Sequence, residues 1–167
     1  MVRAYVSVGS NVDREHHVAA SVAELRALAR DVEASPVYES AAVGMTGGDF
    51  LNLVVAMSVD LDPDGLVAEL RRIEAAHGRV RGPERFVDRT LDLDLLLYGD
   101  LVRHHGGVDV PHPDILRYAF VLRPLADIAG TQVHPETGET FAALWARFDR
   151  RSQPLQPASM HLAERHE

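Results

Sequence analysis

Apolar and polar residues alternate from Arg3 to Val8, the period of a strand with one buried face, and Gly9-Ser10-Asn11 then reads as a turn. The period changes at about His16. From there to Ala29, Val18, Val22, Leu25 and Leu28 recur at helical spacing, and Asp13 or a neighbour is the candidate N-cap. Val32 to Ser40 reads as a second strand interrupted by Pro36, and 41–49 is a loop rich in glycine and small residues. Phe50 to Leu61 is the clearest strand. Leu51, Leu53, Val55 and Met57 make its core side, while Phe50, Asn52, Val54 and Ala56 share the other face. Asp62-Pro63-Asp64-Gly65 opens a helix over about Leu66 to His77, with Leu66, Leu70 and Ile73 inward and Gly78 as its stop. Another strand runs to Tyr98. Beyond the prolines at 111 and 113, Ile115 to Ile128 is predicted as one helix and Phe141 to Phe148 as a last short one. From Arg151 onward the composition turns polar, predicting a mobile tail over 151–167 behind a domain of 1–150. The order strand, helix, strand, strand, helix, strand is that of a ferredoxin-like α+β fold: an antiparallel sheet packed by helices, with additional C-terminal helices.

One strand breaks the expected pattern. In Arg89-Thr-Leu-Asp-Leu-Asp-Leu-Leu-Leu-Tyr98, alternation puts Leu91, Leu93, Leu95 and Leu97 on one face and Thr90, Asp92, Asp94 and Leu96 on the other. Two carboxylates on one face of an apolar strand repel each other unless a cation or arginines lie over them. A same-face pair suits magnesium, which takes one or two protein carboxylates and completes its shell with water and substrate phosphates. Arg79, Arg81, Arg85 and Arg89 precede the pair within eleven residues. As a surface loop they would pair with Glu74, Glu84 and Asp88, but together they make the forked clamp that phosphoryl transfer needs.

Charge and composition narrow the partners. The 167 residues carry a formal net charge of −8, which argues against a nucleic-acid binder, so a small polyphosphate is the better match to the arginine segment. There is no cysteine, which removes disulfides, thiolate chemistry and thiolate-bound zinc. No signal peptide or membrane span is legible, so a cytoplasmic monomer acting on small molecules is expected, with neither nucleic acid nor membrane as partner. His16, His17, His104, His105, His161 and His166 lack the spacing of a closed zinc site and read as surface residues. Phe50 and Asn52, on the non-core face, offer a stacking surface and an amide for a planar heterocycle. His112, between two prolines, reads as a fixed turn residue or as a phosphate or ribose contact.

These segments together resemble the 6-hydroxymethyl-7,8-dihydropterin pyrophosphokinase family of folate biosynthesis. The resemblance rests on Ala4 to Asn11, Phe50-Leu-Asn52, Arg72-Ile-Glu74, Gly78-Arg-Val-Arg81, Arg89 to Asp94 with Tyr98-Gly99, Val110-Pro-His-Pro113 and Phe120-Val-Leu. It implies transfer of pyrophosphate from ATP to the pterin alcohol with release of AMP, with two magnesium ions on Asp92 and Asp94 and with Arg79 and Arg89 joining them as catalytic residues. Nucleotide contacts are implied for Glu74, Arg79, Arg81, Leu95, His112 and Tyr118. Pterin contacts are implied for Ser40, Val43, Phe50, Asn52, Phe86, Asp92 and Phe120. The chain departs from the family pattern at Phe86, where tryptophan is common, at Ala41 and Ala42, which replace prolines, and at Tyr118, where arginine is usual. A paralogue acting on another heterocyclic alcohol, or a weakened nucleotide-binding regulatory module, stays open at this point.

Overall fold

The computed structural model describes residues 1–41, 49–78, 90–160 and 162. Its elements are β1 (Val2–Ser10), α1 (Arg14–Leu28), β2 (Arg30–Ala34), β3 (Tyr38–Ser40), β4 (Phe50–Val59), α2 (Pro63–Ala76), β5 (Asp92–Tyr98), β6 (Arg103–His105), β7 (Val108–Val110), α3 (Asp114–Arg117), α4 (Ala119–Ala129), α5 (Phe141–Ala146) and β8 (Leu155–Pro157). The main sheet runs β5-β1-β4-β3-β8, with β2 also on β4, and every pairing is antiparallel. Counting β2 and β3 as one strand broken around Pro36, this is the ferredoxin-like arrangement with α1 and α2 as its helices.

Both faces of the sheet are buried, which the alternation in β4 did not disclose. On one side Leu51, Leu53, Val55 and Met57 meet Val18, Val22 and Leu25 of α1 and Leu66, Leu70 and Ile73 of α2. Each such side chain contributes about 1.5–3 kcal/mol on leaving water. On the other side Val54 and Ala56, expected on the face away from the core, lie with Tyr5 beneath Val121, Leu122 and Leu125 of α4 and Phe141 and Leu144 of α5. The C-terminal helices therefore cover one half of the second face.

Several local expectations are corrected. Gly9 and Ser10 do not turn but continue β1, opposite Asn52 and Leu51. Asp13 precedes α1 with positive φ and no side-chain cap bond, whereas the Asp62 carboxylate accepts from the Gly65 amide at 2.7 Å and does cap α2. In β5 the register slips by one: Val6 lies opposite Leu95 and Tyr5 opposite Leu97, leaving Leu96 as the extra residue of a bulge. Leu97 is thereby turned from the Leu91–Leu95 face to join Leu96 in the second core.

The single helix expected over 115–128 is two. Tyr118 is extended (φ −125°, ψ 128°) between α3 and α4. Gln153 splints the break, its Oε1 accepting from the Ala119 amide and its Nε2 donating to the Arg117 carbonyl, both at 2.9 Å. The expectation of a tail that buries little is corrected over 153–160 as well. Leu155–Pro157 adds to the edge of β3, and Ala158 and Met160 pack on the first core. Leu155 and Met160 are too isolated among polar residues to give a periodic signal.

Three histidines, among them His17 expected at the surface, are packed within the fold. His17 and His77 meet through their Nδ1 atoms at 2.7 Å, joining the start of α1 to the end of α2. His134 is buried, and its Nδ1 accepts from the amides of Glu136 and Thr137 at 3.1 and 3.2 Å. Burial pushes the pKa of both His17 and His134 down, His77 adding to the effect at His17. Below the unfolded value of about 6.5 the unfolded chain therefore binds more protons than the folded one, and stability rises with pH through that window. His104, held up by Asp109 and then Glu136, works in the opposite sense but is exposed and screened. The fold is expected to lose stability between pH 7.5 and 5.5, and His134→Gln to flatten that dependence. Urea midpoints at the two pH values check this; an unchanged pH slope in the variant would count against it.

Candidate active site

The half of the second sheet face that α4 and α5 do not pack on carries the candidate site residues. Antiparallel register sets Asp92 of β5 opposite Gly9 of β1, Gly9 opposite Asn52 of β4, and Asn52 opposite Tyr38 of β3. Residues directly opposite project to the same side, so Asp92, the bare Cα of Gly9 and Asn52 form one row. Asp94, Ser7 and Val54 form the next. A Cβ on Gly9 would stand 3.4 Å from Asn52 Oδ1 and 3.9 Å from Phe50 Cδ1, so glycine here keeps the floor between the carboxylate and the amide open. The same-face disposition of Asp92 and Asp94 is as the alternation predicts, both being half-buried.

Asn52 is buried, and its Nδ2 donates to Ser40 Oγ at 2.7 Å. That bond fixes the amide plane and turns Oδ1 toward the Gly9 side. Phe50, paired with Ser40, stands half-buried two residues before Asn52 on β4. At the α3–α4 junction Tyr118 and Phe120 stack with centroids 4.9 Å apart and planes at 17°, both packed against the second core.

His112 enters through the bulge. Leu96, displaced from regular pairing, offers its carbonyl to the His112 amide at 2.9 Å. His112 Nδ1 accepts from the Asp114 amide at 3.1 Å, so in the neutral ring the proton sits on Nε2, which is left as a donor. Asp94, His112 and Asp114 bring one ligand-type atom each within 4.8 Å of one another.

The side chains of two of the expected nucleotide residues are buried in the fold. Leu95 packs in the first core, on the opposite face from the aspartates, because alternation carries it there with Leu91 and Leu93. Glu74 is also buried; its Oε2 accepts from the Leu93 amide at 2.8 Å and its Oε1 from Arg71 Nη1 at 2.5 Å. Its carboxylate holds the back of the aspartate strand. Val43, Arg79, Arg81, Phe86 and Arg89 lie outside the described residues. Gly9, Arg71 and Asp114 were missed as site residues. Gly9 was visible as the one residue without a side chain in an apolar strand, whereas Arg71 and Asp114 had no local signal.

The protein-family model described as 7,8-dihydro-6-hydroxymethylpterin-pyrophosphokinase matches residues 5–130, which include every described residue of this face. The chain belongs to this pyrophosphokinase family. Curated relatives bear it out. A 2-amino-4-hydroxy-6-hydroxymethyldihydropteridine pyrophosphokinase of Synechocystis sp. is 37% identical over 150 residues, covering 87% of this chain and 76% of its own. Those of Haemophilus influenzae and Methylorubrum extorquens are 36% and 39% identical, covering 82% and 89% of this chain and 88% and 95% of their own. The matched residues run from β1 through α4, so they include the Asp92–Gly9–Asn52 row and the Tyr118–Phe120 stack alike.

Proposed function

We propose that the chain transfers pyrophosphate from ATP to 6-hydroxymethyl-7,8-dihydropterin and releases AMP, the reaction of folate biosynthesis. The observation that carries the reading is the row across three strands: a carboxylate, an open floor and an oriented amide, within a chain that matches the pyrophosphokinase family over most of its length. Asn52 would read the amide edge of the pterin, with Ser40 setting its orientation. Phe50 and Phe120 would hold the ring's two faces, and Val43 and Phe86 would complete that side.

The donor set fits magnesium. Asp92 and Asp94 present hard carboxylate oxygens on one face, and Gly9 leaves room beside them. They would hold two magnesium ions, whose charge neutralises the phosphate oxygens and polarises the β-phosphorus. Arg79, Arg81 and Arg89 would bind the ATP phosphates, and the Nε2 proton of His112 would donate to a nucleotide oxygen. The pterin hydroxymethyl oxygen attacks the β-phosphorus in line, its bond forming as the bond to the AMP oxygen breaks and its hydroxyl proton passes to solvent. The residues contribute by fixing that approach and by opposing the charge that develops, rather than by covalent chemistry.

Incubation with ATP, magnesium and the reduced pterin tests the reading. AMP formed only when the pterin is present is the expected result; ADP, or no nucleotide product, would overturn it.

A further inference from the structure

Arg71 is one helical turn from Glu74 on α2, and both reach the same residue of β5, one at its amide and the other at its carbonyl. Arg71 Nη1 donates to the Leu93 carbonyl at 2.9 Å and to Glu74 Oε1 at 2.5 Å, while the Leu93 amide donates to Glu74 Oε2 at 2.8 Å. Arg71 Nη2 stands 3.6 Å from Asp94 Oδ1. Among the described residues β5 is the edge of the sheet and pairs with β1 alone, so the outward amide and carbonyl of Leu93 meet no described strand. Leu93 is fully buried, so those groups need partners. Two side chains of α2 supply what a neighbouring strand would, and they do so at the residue between Asp92 and Asp94.

We propose that Arg71 is a positioning residue for divalent-cation binding at Asp94. Its planar fork, already fixed by Glu74 and the Leu93 carbonyl, holds one oxygen of the Asp94 carboxylate and with it the spacing of the Asp-Leu-Asp segment. A lysine carries the charge but presents one point of contact in place of the fork. The opposite effect is physically available: a guanidinium 3.6 Å from a metal-binding carboxylate repels a dication, so its removal would tighten binding if charge alone mattered. Loss of Arg71 therefore weakens binding if positioning dominates and tightens it if charge does, an inference that rests on the assignment of Asp92 and Asp94 as metal ligands made above.

Mn²⁺ binding in the presence of a non-hydrolysable ATP analogue, followed by electron paramagnetic resonance, provides a readout independent of turnover. Arg71→Gln is expected to weaken Mn²⁺ binding about 10- to 100-fold, the usual loss when a group orienting a metal ligand is removed. Arg71→Lys is expected to stay weak, because the fork and not the charge is at issue. Arg71→Gln removes a cation from beside the buried Glu74 carboxylate, so the double variant R71Q/E74Q, neutral at both positions, guards against a folding defect and is expected to remain weakened. Binding equal to or tighter than wild type in the folded double variant, or full rescue by lysine, would overturn the proposal. Wild type that binds Mn²⁺ but forms no AMP would refute the proposed reaction and leave this inference standing; wild type that binds no Mn²⁺ would refute the metal assignment and the inference with it.

Discussion

Asp94→Asn is expected to lower pterin-dependent AMP formation by about 10²- to 10³-fold, the scale of losing one electrostatic stabiliser of a charged transition state. The substitution keeps the shape of the side chain, and the side chain is 24% exposed, so the fold has little reason to respond. What disappears is one negative charge of the same-face pair. The remaining carboxylate at Asp92 sits in the adjacent register, opposite Gly9 rather than Ser7, and cannot reach the same position. His112 and Asp114 do not replace it either. The Nδ1 of His112 is engaged by the Asp114 amide, and Asp114 alone brings back one charge from a different direction. Because the loss arises at the metal, raising magnesium should recover part of the rate, whereas raising the pterin should not. A variant as active as wild type at limiting magnesium would remove Asp94 from the metal site.

Glu74→Ala, by contrast, would act through the strand. It would leave the Leu93 amide and Arg71 without their buried partner, so a fall in stability should accompany any fall in rate. Loss of rate without loss of stability is the mark of Asp94.

The aspartate pair was legible because it violates a pattern. An apolar strand with charge on one face needs a reason, and alternation alone gives the side on which Asp92 and Asp94 lie. The strand and helix order was legible for the same cause, since periods of two and about four survive in β4 and α2 without knowledge of what covers them. What failed to read were features set by a partner distant in sequence. The Leu96 bulge leaves no trace in a run of leucines, yet it turns Leu97 over and frees the carbonyl that seats His112. The pair Arg71 and Glu74, three apart on a helix, looks like any exposed ion pair. Only the approach of β5 makes Glu74 buried and gives Arg71 its contact with Asp94. Val54 and Ala56 seemed to face solvent because nothing in β4 announces that α4 crosses it. Leu155 could not be recognised as a strand residue until β3 offered its free edge.

Asn52→Asp is expected to reduce kcat/KM for the pterin by about 10²- to 10³-fold, roughly the worth of one donor hydrogen bond lost together with an unfavourable charge gained in a buried site, while leaving the KM for ATP little changed. The replacement has nearly the same volume, and the Ser40 hydroxyl, which accepts from Asn52 Nδ2, can rotate to donate to the new carboxylate. The fold is thus spared. The site loses the Nδ2 donor and gains a charge in the same row as Asp92, with only the bare Gly9 between them. A heterocycle whose edge presents a carbonyl would then face a group that cannot donate to it, and a site built around a hydrogen bond discriminates strongly when that bond cannot form. Gly9→Val probes the same floor by volume instead of polarity. Its β-carbon would meet Asn52 Oδ1 at 3.4 Å, a contact the fold tolerates, but the added methyl groups would stand where the ring must lie. Both variants should therefore raise the KM for the pterin in steady-state assays with ATP held saturating. If instead the KM for ATP rises and that for the pterin does not, the row from Asp92 to Asn52 holds the nucleotide, and the two substrates must exchange places on this face of the sheet.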